Sequence, residues 1–225
     1  MKVAELFDPH AIHNLADPKE KEITKVSKVE DLAAILKAQC SDIIAAYQKA
    51  GDPIYRGIKG ATDQVVITQI RQERLSLEMN PDWHEQLHQS FIKVGLKATR
   101  KNAIFCTTST SIASDWGTPY VIFPKNGWTV TVFKEFKDSY TFYKLSNLRW
   151  KHDVDFDEMS DDEVQKVIVD ELKTMDPWSL TSSNDLATVI KDQYEDILLT
   201  GSSYIAVRSH GVMMEKLKKL LDLKI

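Results

Sequence analysis

The apolar residues of this chain change their spacing partway along it, without settling into a regular strand–helix alternation. Apolar positions first recur at Leu32, Ile35, Leu36, Cys40, Ile43 and Tyr47, a helical stripe. Gly51 ends that stripe and Pro53 prevents its continuation. Ile54-Tyr55-Arg56-Gly57-Ile58 follows as a short strand. A second helix opens at Asn80-Pro81-Asp82, carries Trp83, Leu87, Phe91 and Val94 on one face, and closes at Gly95. A β-rich block comes next. Ala103 to Ser109, Tyr120 to Phe123, Trp128 to Phe133 and Ser139 to Lys144 read as strands. The turn Pro124-Lys125-Asn126-Gly127 predicts a hairpin between the middle two.

Ser27 with Glu30, and Ser160 with Glu163, have the spacing of capping boxes. The second opens a helix with Val164, Val167, Ile168 and Leu172 inward. Asn184 is placed to cap a short helix through Leu186, Val189 and Ile190. Ile197 to Leu199 and Tyr204 to Val207 read as a final strand pair turning at Thr200-Gly201-Ser202-Ser203. A last helix carries Met213, Leu217, Leu220 and Leu221 on one face. Helices first, strands in the middle and at the end, with helical inserts, predict an α+β fold in one domain over residues 1–225. Residues 1–25, polar and interrupted by Pro9 and Pro18, read as a loose arm, and 150–185 as a helical insert.

Composition narrows the function classes. A formal charge of −4 argues against binding nucleic acid by bulk electrostatics. Cys40 and Cys106 make neither a disulfide framework nor a Cys-rich zinc site. No apolar run approaches the roughly 20 residues of a membrane span. Met1 to Asp8 lacks the apolar run of a secretion signal, so a cytoplasmic location is expected.

Two constellations carry potential chemistry. His84-Glu85-Gln86-Leu87-His88 fits H-E-x-x-H on a segment read as helical, where two histidines could hold zinc and the glutamate activate water. A third ligand is needed, yet no His or Glu lies between His88 and Glu135. A half-buried helix flank with two ordinary histidines explains the same residues, and no metal ligand set is assigned. A zinc peptidase remains one alternative reading.

The second constellation spans three segments: Tyr55-Arg56-Gly57, then Phe105-Cys106-Thr107-Thr108-Ser109, then Gln193-Tyr194-Glu195-Asp196 before Ile197-Leu198-Leu199. Each has an ordinary explanation alone: a salt-bridged strand arginine, a Thr/Ser run with β propensity, solvent-facing acids. In this order they resemble the mono-ADP-ribosyltransferases of the arginine–serine–glutamate class. That family has an aromatic-Arg strand, an aromatic-x-Ser-Thr-Ser strand, and a Glu/Gln-x-Glu leading into a Val/Ile-Leu-Leu strand and a Gly-Ser turn. The match covers roughly residues 30 to 208. Trp116 to Pro124 also looks like such domains encoded by tailed bacteriophages, which would place the enzyme in the host cytoplasm.

The resemblance implies two packed small β-sheets flanked by helices, with a helical N-terminal segment. It implies NAD as substrate and a macromolecular acceptor, a protein foremost, with nucleic acid left open. Arg56 would hold a phosphate, with Tyr55, Gly57, Phe105, Thr107, Thr108 and Ser109 around the dinucleotide. The hydroxyls would brace Arg56 and the acid, and a carboxylate would stabilise an oxocarbenium-like ribosyl transition state. Thr107 replaces the family's first serine. The acid is shifted as well. Glu195 has the spacing from Gln193, whereas Asp196 directly precedes the Ile-Leu-Leu strand. Alternation sends the two to opposite faces, and the longer Glu195 is preferred. Gln193 in the upstream place goes, in the family, with asparagine-type acceptors. A non-catalytic binding or structural protein with a decayed site is the remaining alternative. Cys106 is expected to be a small filler within the hydroxyl strand.

Overall fold

The computed structural model of the chain describes residues 28–73, 81–133 and 159–224. The expected N-terminal arm, Ser27 of the first capping box, the strand 139–144 and the start of the 150–185 insert lie outside these residues. The first helical stripe is two helices, α1 (Val29–Gln39) and α2 (Ser41–Ala50). Cys40, in a non-helical conformation, divides them. Gly51 caps α2 in the left-handed region at φ 82, where a side chain would be strained.

The strands are β1 (Tyr55–Ile58), β2 (Val65–Gln69), β3 (Ile104–Cys106), β4 (Thr118–Pro124), β5 (Thr129–Phe133), β6 (Pro177–Leu180), β7 (Ile197–Thr200) and β8 (Ser203–Arg208). Between them stand α3 (Pro81–Lys93), α4 (Thr110–Trp116), α5 (Asp161–Thr174) and α6 (Ser183–Lys191), and α7 (Val212–Leu220) follows the last strand. Among the described residues the fold is therefore α+β, with seven helices and two antiparallel four-stranded sheets. The first sheet has the order β1-β4-β8-β2 and the second β3-β7-β5-β6.

Both expected hairpins are corrected by this topology. β4 and β5 follow each other closely but belong to different sheets, and so do β7 and β8. The turn at 124–127 carries the chain from one sheet to the other. Asn126 is pinned to the joint between α1 and α2: its amide donates to the Gln39 carbonyl at 2.7 Å, and its side-chain oxygen accepts from Asp42 N–H at 3.2 Å. At the second crossing Gly201, φ 159, leaves room for the Trp128 backbone, whose Cα lies 3.4 Å from where a Cβ would sit.

The second sheet alternates cleanly. Ile104, Cys106, Val130, Val132, Ile197 and Leu199 join the main core with the first sheet and helices α1, α2, α6 and α7. Phe133 and Leu198 point the other way, into a smaller core with α3 and α5, and Phe105 packs against it. There Phe91 meets Phe133 edge-on, with ring centroids 5.8 Å apart. The 150–185 stretch is thus more than a helical insert. It supplies α5, which is started by the expected Ser160–Glu163 capping box, and also the edge strand β6.

Other expectations shift locally. α6 is capped by Ser182, whose Oγ accepts from Asp185 N–H at 3.2 Å, and not by Asn184. On α7 it is Met214 and Leu217 that are buried, with Leu221 just after the helix, while Leu220 is exposed. β2 is a strand that the sequence reading did not assign, although Val65, Val66 and Ile67 are strong strand formers.

Candidate active site

Three segments distant in sequence meet along one seam between the sheets. β1, at the edge of the first sheet, bridges to the chain just after β3, at the edge of the second. Tyr55 N–H donates to the Thr107 carbonyl at 2.7 Å and Thr107 N–H returns to Tyr55 at 2.9 Å. β3 in turn pairs with β7, Cys106 opposite Ile197. This places the arginine strand, the hydroxyl run and the acidic segment side by side.

Arg56 is half-buried and donates one guanidinium N–H, from Nη1, to the Phe105 carbonyl at 3.1 Å. No carboxylate among the described residues lies within ion-pair distance of it. Its neighbour Tyr55 packs against the main core, and burial, helped by the Asp52 carboxylate, pushes its phenol up to about 12. Gly57 has a packing role: a Cβ there would lie 2.1 Å from the Ala113 carbonyl and 2.8 Å from Gly117 N, so β1 and α4 touch through bare backbone.

The hydroxyl run is not one strand from Ala103 to Ser109. β3 stops at Cys106, and Ser109 becomes the N-cap of α4, accepting from Ile112 N–H at 3.4 Å. Thr107 is fully buried, and its Oγ1 accepts from Ser109 N–H at 3.1 Å. Thr108 faces the acidic segment: its N–H and its Oγ1 donate to the Tyr194 carbonyl at 3.2 and 2.9 Å. The expected direct brace of Arg56 by hydroxyls is therefore replaced by the Phe105 carbonyl, and the brace on the acid reaches the backbone immediately before it. The Phe105 ring packs against the smaller core, with the Arg100 guanidinium 5.3 Å from its centroid. The Cys106 thiol is fully buried, and that burial, partly offset by the Arg56 charge, raises it to about 12, as suits a filler and not a nucleophile.

The acidic segment begins where α6 stops. Gln193 sits at φ 58. Its N–H donates to the Ile190 carbonyl at 3.0 Å, and Tyr194 N–H to Val189 at 3.4 Å, which together close a Schellman turn. Gln193 is thus a helix stop with an exposed side chain, and β7 begins only at Ile197. Glu195 is half-exposed, whereas Asp196 is buried with 6% of its surface accessible. Of the two acids, only Glu195 presents appreciable surface to a ligand.

His84, Glu85 and His88 lie on α3, in the stretch of chain between the arginine strand and the hydroxyl run. Glu85 is ion-paired to Lys101 at 2.7 Å and accepts from the Gln89 amide at 2.7 Å; those two bonds hold its carboxyl below the ordinary range. His88 Nδ1 is 2.8 Å from Thr99 Oγ1. Burial lowers both histidines, and Arg100 and Lys101 beside His84 push further in that direction. The glutamate is engaged and the surroundings are cationic, which disfavours a dication. Among the described residues no group of three His, Cys, Asp or Glu side chains gathers to hold a metal.

Two groups beside these motifs escaped the sequence reading. The Tyr194 carbonyl is a backbone group and leaves no trace in residue identity. Arg208, at the end of β8, pairs across the first sheet with Tyr120, which pairs in turn with Arg56. That register is set by pairing distant strands and has no local signature. Comparison with models of protein families, with curated proteins and with solved structures finds no match to this chain.

Proposed function

We propose that this chain is an NAD-dependent mono-ADP-ribosyltransferase that modifies a macromolecular acceptor. The observation that carries the reading is the seam itself. Tyr55-Arg56-Gly57, Thr107 to Ser109 and Tyr194-Glu195 become neighbours through the Tyr55–Thr107 bridge and the Thr108–Tyr194 hydrogen bonds. Two small antiparallel sheets joined at that seam are compatible with the scaffold that the resemblance implies.

The residues fit a dinucleotide in charge and reach. Arg56 commits one N–H to a neutral carbonyl and has no carboxylate partner among the described residues, so its planar fork can take a phosphate. NAD supplies a ribosyl group on a leaving group that is already cationic, so no general acid is required of the protein. Glu195 would accept from a ribose hydroxyl and stabilise positive charge developing on the sugar. Thr108 would fix the position of Glu195 through the Tyr194 carbonyl.

The test is transfer of label from NAD to cell-extract acceptors by wild type, Glu195→Gln and Arg56→Gln. Labelling by wild type that both variants lose supports the reading. No labelling by wild type, with no thermal shift on adding NAD, overturns it. A second reading is a non-catalytic protein on the same scaffold. It is favoured by the engagement of the Thr107 and Ser109 hydroxyls with their own backbone. It predicts a folded chain without NAD turnover.

A further inference from the structure

Antiparallel register lines up Arg56 of β1, Tyr120 of β4 and Arg208 of β8 in one cross-strand row. Residues directly opposite in such ladders project from the same face of the sheet. With strands about 4.8 Å apart, the two arginine backbones stand roughly 10 Å from each other on either side of the tyrosine. Tyr120 is fully buried, and its hydroxyl donates to the Asp63 carbonyl at 2.6 Å. The middle of the row is therefore filled, uncharged and fixed.

Both flanking arginines are half-buried. Among the described residues neither has a carboxylate within ion-pair distance, and the hydrogen bond of Arg56 goes to a neutral carbonyl. Asp63 lies close enough to act on the Tyr120 hydroxyl together with Arg208, yet it does not pair with Arg208. Two partly desolvated guanidiniums on one face without a counter-ion repel each other, and an anion between them would relieve that cost. A single phosphate occupies one fork; a diphosphate offers acceptor oxygens to two.

We propose that Arg56 and Arg208 form a two-point clamp for the diphosphate of a nucleotide ligand, with Tyr120 as its rigid spacer. The choice of a diphosphate rests on the transferase reading; the clamp itself rests on the register.

The experiment is calorimetric titration of the full chain with inorganic pyrophosphate, ADP and AMP. Wild type, Arg208→Gln, Arg208→Lys and Arg56→Gln are compared after thermal unfolding shows each to be folded. Pyrophosphate and ADP are expected to bind wild type and to weaken about tenfold or more in either glutamine variant. Arg208→Lys should recover part of the loss, because it keeps the charge without the fork. AMP should respond less to Arg208 than ADP does. Unchanged ADP and pyrophosphate affinity in folded Arg208→Gln or folded Arg56→Gln overturns the clamp, as does wild type that binds neither ligand. Pyrophosphate binding through both arginines in a chain that never labels an acceptor keeps the clamp and rejects the transferase. Labelling with an unchanged KM for NAD in Arg208→Gln does the reverse.

Discussion

Thr108 directs two donors, its backbone N–H and its hydroxyl, at a single acceptor, the carbonyl of Tyr194, at 3.2 and 2.9 Å. One residue of the hydroxyl run thereby fixes the position of the residue just before Glu195. Thr108→Val keeps the shape and removes the hydroxyl. It is expected to cost about 1 kcal/mol of stability, measured by urea unfolding. In NAD-dependent labelling it should lower kcat with little change in KM, and Thr108→Ser should restore both.

Glu195 and Asp196 should separate in their effects. Glu195→Gln, at a half-exposed position, is expected to leave the unfolding midpoint within experimental scatter and to lower kcat by about 10²–10³-fold. Asp196→Asn, at a buried one, is expected to leave the labelling rate far less affected than Glu195→Gln does. Labelling rates and thermal unfolding of the same preparations check both.

Gly57→Ala should destabilise the fold by about 1–3 kcal/mol or more, since the new Cβ would stand 2.1 Å from the Ala113 carbonyl. Gly117→Ala meets the same crossing from the other side. There a Cβ would lie 2.7 Å from the Ile58 carbonyl carbon at a φ of 143, so it too should destabilise. Urea midpoints of both variants provide the measurement.

Gln193→Gly should stabilise. An L-residue in the left-handed region is strained by about 1–2 kcal/mol, and glycine removes that strain at an entropic cost of about 0.5–1 kcal/mol. A net gain of about 0.5 kcal/mol is expected, read as a rise in unfolding midpoint. Gln193→Val should lower it.

Acid should weaken the fold through His84 and His88. Burial holds both below the ordinary value of 6.5 in the folded chain. As pH falls through 6.5, the unfolded chain takes up protons that the folded one refuses, so stability present above that pH is progressively lost below it. Unfolding midpoints between about pH 7.5 and 5.5 should fall, and a His84→Gln, His88→Gln double variant should flatten the slope.

The identity of most elements was legible because it is local. The 3.6-residue stripe through Leu32 to Tyr47, the Ser160–Glu163 capping box, and the strands that contain Phe123, Phe133 and Val207 each follow from neighbouring residues. The break at Cys40 was not legible, since Cys40 continues the apolar stripe. Nor was the end of β3 at Cys106, because Thr107 to Ser109 have strand propensity and Ser109 reveals itself as a helix cap only with α4 in place. The candidate site was legible as three motifs in order, but not as contacts.

The sequence by itself determined an α+β chain, the inward faces of most helices, and three segments worth bringing together. Tertiary structure alone decided that β4 and β5, like β7 and β8, join different sheets. It likewise decided that Gly57 serves packing, that Thr108 holds the Tyr194 carbonyl, and that Arg56 and Arg208 share one row. The reason is physical. Periodicity and propensity act over a few residues, so they fix the conformation of a segment. Which strand it pairs with, and in what register, depends on burying one face against surfaces formed by residues far away in the chain.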